Sequence, residues 1–143
     1  MHVSACALLG LVGLLAGGKE PPPRYAITAD LKSFRQGTPK ETLAAVLKAA
    51  DLKRFDYLLA HLADPAWVDG RVEQYAGGFA ELVKETSAKL DAAALKQLKR
   101  FLKEGEFTEV DSTAVVRLKD VSDRVVRLRK QGGRWFLENR SDP

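Results

Sequence analysis

The sequence predicts an α+β fold, with N-terminal amphipathic helices packed on a C-terminal curved antiparallel sheet, cone-like in outline. Three observations carry this. Apolar side chains recur every three to four positions up to about Leu102, the period of helices with one buried face. From Glu106 the period drops to two, as in strands buried on one side. No repeat or low-complexity tract divides the chain, so helices followed by a meander form a single domain over residues 36–140.

Residues 1–18 read as a secretory signal. Val3 to Gly18 is an uncharged apolar run. As a helix it would reach about 24 Å at roughly 1.5 Å per residue, short of a hydrocarbon core about 30 Å thick. Gly10, Gly13, Gly17 and Gly18 weaken a permanent membrane helix further, and Ala16-Gly17-Gly18 supplies small residues for cleavage near Gly18. The expected location is therefore secreted or periplasmic, with no stable membrane span. Val3-Ser4-Ala5-Cys6 looks like a lipobox, but its apolar stretch follows the cysteine instead of preceding it, so a discarded cysteine is favoured over a lipid anchor.

Residues 19–35, with Pro21-Pro22-Pro23, read as a linker with a short strand where Tyr25, Ile27, Ala29 and Leu31 alternate with other residues. Thr38-Pro39-Lys40-Glu41 is a capping box with proline at N1, followed by Leu43, Val46, Leu47 and Ala50 at helical spacing. Phe55, Leu58, Leu59 and Leu62 form a second, short helix. Asp64-Pro65 starts a third, carrying Val68, Val72, Tyr75, Phe79, Leu82 and Val83, with a bend or break expected at Gly77-Gly78. Asp91 caps a fourth bearing Leu95, Leu98, Phe101 and Leu102, with Gly105 as a left-handed stop. Thr108/Val110, Ala114/Val116/Leu118, Val126/Leu128 and Trp135/Leu137 mark the strands, and Gly132-Gly133 a two-residue hairpin.

The capped helices opened by Thr38-Pro39-Lys40-Glu41 and the sheet ending Gly133-Arg134-Trp135-Phe136-Leu137-Glu138 resemble the nuclear transport factor 2-like superfamily. The likeness covers roughly residues 36–140 and is strongest to small secreted bacterial members. It departs from that family in placing two helical segments over residues 66–104. The resemblance implies the fold of ketosteroid isomerases and polyketide cyclases, with a conical pocket between sheet and helices and frequent dimers through the sheet. It implies no single activity.

Composition narrows function further. The 143 residues are 45% hydrophobic, 29% charged and 8% aromatic, a globular balance that excludes a fibre, a disordered tail or a multi-pass membrane protein. One cysteine and two histidines leave no disulfide framework and no metal motif, and neither metal nor cofactor is expected. Tyr57, His61 and Asp64 fall on one stripe that would suit proton transfer, but on a regular helical wheel they point away from Phe55, Leu58, Leu59 and Leu62. A solvated face is therefore expected. Tyr75, Phe79 and Trp135 are the aromatics placed to line a pocket, with plain core as the simpler reading.

Charge is segregated. Residues 19–111 carry 15 basic and 15 acidic side chains, whereas residues 112–143 carry 8 and 4. Arg117, Lys119, Arg127 and Arg129 alternate against inward valines and leucines, so they are expected to share one exposed sheet face that favours an anion. No aromatic interleaves with them, which disfavours nucleic acid. These features favour a secreted, non-enzymatic binding module for a protein or an anionic envelope component. The rival is a small-ligand binder or isomerase/cyclase-type enzyme using the cone interior.

Overall fold

The computed structural model describes residues 20–140, so the signal segment and Cys6 lie outside the described residues. Within them the fold is α+β. Five helices, α1 (Pro39–Asp51), α2 (Phe55–Tyr57), α3 (Pro65–Gln74), α4 (Gly78–Lys89) and α5 (Ala92–Glu104), precede four strands. The strands β1 (Glu106–Val110), β2 (Thr113–Leu118), β3 (Val121–Gln131) and β4 (Arg134–Leu137) form an open antiparallel meander in the order β1-β2-β3-β4.

The expected caps close as local chemistry dictates. Thr38 Oγ1 accepts from the Glu41 amide at 3.1 Å, Asp64 Oδ1 from Ala66 at 3.2 Å and Asp91 Oδ1 from Ala94 at 2.9 Å. Tyr75 to Gly77 separate α3 from α4, the break expected beside the paired glycines. Gly132 and Gly133 both take positive φ, and the β3–β4 hairpin turns there.

Two hydrophobic clusters meet through α1. Val46 and Ala49 pack with Leu58, Leu62 and Leu82, while Leu43 packs with Phe101, Val116, Leu128 and Trp135. The outer edge of β4 is covered: Trp135 N donates to the Gln36 carbonyl at 3.0 Å, and Asp64 N donates to the Leu137 carbonyl at 2.9 Å.

The structure corrects four expectations. Residues 25–31 form no strand. Arg24 and Ile27 bond to each other across a tight turn in which Tyr25 and Ala26 have φ of 52° and 63°. The turn is held from outside, since the Tyr25 ring stacks on Phe79 at 4.2 Å and Arg24 pairs with Asp69 at 2.7 Å. Nor is this stretch a linker: Ala29 and Phe34 are buried and Ile27 packs against the helical cluster.

Gly105 is not left-handed, having φ −70° and ψ 149°. Its glycine answers to close packing instead, because a Cβ there would collide with the Phe101 carbonyl and with Val116 Cγ1. In β1 the inward residue is Phe107, opposite Val116, while Val110 is 62% exposed. The pattern read from Thr108 and Val110 is thus displaced by one residue, which exchanges the faces. The fourth correction concerns the Tyr57 stripe.

Candidate functional site

Tyr57 and His61 are not solvated, each being 1% exposed. After Tyr57 the chain continues as a π-helical segment, Leu58–Leu62, in which Ala63 N bonds to the Leu58 carbonyl. Residues 24–36 then fold across the face that the wheel assigned to water. Tyr57 Oη accepts from the Asp30 amide at 2.8 Å, and the ring stacks on Phe34. His61 Nε2 lies 2.8 Å from the Ile27 carbonyl. A carbonyl only accepts, so Nε2 carries the proton, and the buried Nδ1 is left without a partner. Desolvation lowers the His61 pKa and raises that of Tyr57, holding both neutral. Asp64 stands apart as the α3 cap, with Arg129 at 3.7 Å. The three residues hold the N-terminal segment and a helix end, and the Tyr57–His61 pair is buried beneath that segment.

Beside them Gln36 forms a buried junction. Its Nε2 donates to the carbonyls of His61 at 2.9 Å and Trp135 at 2.8 Å, and its Oε1 accepts from Arg134 at 3.2 Å. The sequence carried no signal for it, because all its partners are distant in the chain.

The aromatic trio is divided. Tyr75 and Phe79 pack at the edge of the helical cluster, whereas Trp135 is buried in the sheet cluster.

The four sheet cations are only partly united. Arg117 and Arg129 lie on the face opposite the core, in register with Glu106 and Thr113, whereas Arg127, in register with Val115, is half-buried and also borders the trough between α5 and β3. Lys119 falls in the turn between β2 and β3. Acidic groups temper the patch: Glu106 opposes Arg117, and Asp64 approaches Arg129.

A different feature is better formed. Where α5 diverges from β3, an open trough of about 460 Å³ runs over a floor that includes Leu90, Leu98, Phe101, Val126 and Leu137. Its rim carries Arg124, Arg127 and Arg140 against one carboxylate, Glu138. The pairing of β2 with β3 shifts between Val116 and Leu118, and adjacent Val125 and Val126 are both buried, so strict alternation fails here. Arg124 lies within that irregular stretch and joins Arg127 at the rim. The charge count pointed to this end of the chain, but no period-2 reading could foresee the trough.

Among the described residues no group of three or more His, Cys, Asp or Glu is placed to hold a metal ion. No described helix is long and apolar enough to cross a membrane. No family model, no curated protein and no solved structure matches the chain.

Proposed function

We propose that this chain is an exported, non-enzymatic binding module for an anionic partner, a protein or an envelope component, and that the rim of the trough makes the contact. The observation that carries this is the meeting of three arginines and one glutamate around an apolar floor. Binding sites of this type are concave, mainly apolar and oriented by a few polar groups. The uncharged run at residues 3–18 supports export, and the order of helices then sheet supports kinship with the nuclear transport factor 2-like superfamily. The packed interior weighs against an isomerase-type or cyclase-type reading, since Leu43, Phe101, Val116, Leu128 and Trp135 fill the space between α1, α5 and the sheet.

The test is salt elution from a sulfated-dextran matrix. Replacing Arg124, Arg127 and Arg140 together by Gln should move elution to clearly lower salt. Replacing Arg117, Lys119 and Arg129 by Gln should move it less, because none of the three borders the apolar trough. Equal elution of the rim variant and the unaltered protein would overturn the reading.

A further inference from the structure

We infer that the trough takes a single-chain aliphatic carboxylate as a monomer, with its tail inward and its head at Arg124. The inference rests on the anionic-partner reading and adds the class of ligand. A narrower cavity of about 140 Å³ adjoins the trough, with Leu90, Leu137, Glu138 and Asn139 lining both. The rest of its lining is Leu58, Leu59, Ala63, Trp67, Thr86 and Lys89.

The two cavities differ in how their cations are held. The cation of the narrower cavity, Lys89, is 70% exposed and held by Glu85 at 2.8 Å. In the trough, Arg124 makes none of the ion pairs found among the described residues. Arg127 and Arg140 add positive potential beside it.

A guanidinium fork matches a carboxylate in geometry, whereas an uncharged chain would leave Arg124 unanswered. A peptide would bring backbone N–H and C=O groups over the trough floor, where Leu90, Leu98, Phe101, Val126 and Leu137 have no polar side-chain atoms to meet them. The inner cavity is too small for the paired tails of a membrane lipid.

The test is titration calorimetry of residues 19–143 with dodecanoate below its micelle point, beside butyrate, dodecyltrimethylammonium and phosphatidylglycerol vesicles. Dodecanoate should bind at one site, and butyrate and the ammonium analogue at least about tenfold more weakly. Arg124→Gln should weaken dodecanoate about tenfold, the loss expected for one charge-assisted contact. Ala94→Leu fills the floor with little change in helix propensity and should weaken it at least as much. Failure of dodecanoate to bind, equal binding of the ammonium analogue, or indifference to both substitutions would overturn the inference. Binding to vesicles without binding to monomeric dodecanoate would also overturn it, assigning the rim to a membrane surface. If dodecanoate fails while salt-sensitive retention on sulfated dextran persists, the amphiphile falls and the anionic-partner reading stands. Loss of both removes both.

Discussion

His61 Nε2 lies 2.8 Å from the carbonyl of Ile27, so an imidazole buried in the π-helical segment after α2 fastens the N-terminal segment to the domain. Burial lowers its pKa below the ordinary 6.5 against the opposing hydrogen bond to Ile27, and the nearby Arg134 and Arg24 push it further down while Glu20 pushes it up. The unfolded chain therefore takes up a proton near pH 6.5 that the folded chain refuses. Stability from this site is complete above pH 6.5 and declines as pH falls from there toward the lowered folded value. Urea midpoints measured between pH 7.5 and 5 should fall in the unaltered protein. In His61→Gln, which keeps a donor but does not titrate in this range, the slope should flatten. The carboxylates with lowered pKa, Asp30, Asp69 and Asp120, act below about pH 4 and leave this window clear. Equal slopes in the two proteins would remove His61 as the cause.

What could be read in advance was whatever a few neighbouring residues decide. Thr38, Asp64 and Asp91 cap helices because the groups they satisfy lie two or three positions on. The β3–β4 turn followed from Gly132-Gly133 for the same reason. Tyr57 and His61 were misassigned because their cover comes from residues 24–36, whose fold depends on Asp69 and Phe79 more than forty residues away. The face of β1 was misassigned because the five-residue strand carries both Phe107 and Val110, and only pairing with Val116 chooses between them. The trough was beyond reach because it is a gap between elements, set by how far α5 stands from β3.

Gly105 and Gly70 should respond oppositely to the same substitution. A Cβ at Gly105 meets Phe101 backbone and Val116 side chain, neither of which can yield without moving α5 against β2. Gly105→Ala should cost about 1–3 kcal/mol, the usual range for forced overpacking. Gly70 lies inside α3, and a methyl group added there would meet nothing within 4 Å, so Gly70→Ala should stabilise by about 0.5–1 kcal/mol through helix propensity. Urea denaturation of the two single variants decides it. A neutral Gly105→Ala would mean that this contact is not tight in solution.

Asp64 serves two partners with unequal effect. It caps α3 through Ala66 and stands 3.7 Å from Arg129 across to the sheet. Removing the cap should cost about 1 kcal/mol, and the half-exposed ion pair adds a few tenths. Asp64→Asn keeps an oxygen for the cap and should recover most of what Asp64→Ala loses, with little dependence on salt. If Asp64→Asn is as damaging as Asp64→Ala, the charge on Arg129 is the stronger partner and the sheet cation depends on it.

Gln36 carries the largest expected penalty outside the apolar core. Its side chain is buried and makes three contacts, to the His61 carbonyl, the Trp135 carbonyl and the Arg134 guanidinium. Each joins the N-terminal segment to a different point of the helix–sheet seam. Gln36→Leu preserves approximate volume but leaves three polar groups short of a partner. Arg134 is already partly desolvated, with its pKa lowered chiefly by burial, so the loss of its acceptor is felt directly. At about 1–3 kcal/mol for a fully orphaned buried group, and with the Trp135 carbonyl still accepting from Thr42 at 3.3 Å, the net cost should be about 3 kcal/mol. Gln36→Glu should be worse at neutral pH despite its closer shape: it exchanges the amide donor for an acceptor facing two carbonyls, and a salt bridge to Arg134 does not relieve that mismatch. Thermal and urea midpoints of the two variants test the ordering. Gln36→Leu within a few tenths of a kcal/mol of the unaltered protein would show that the seam holds without this side chain.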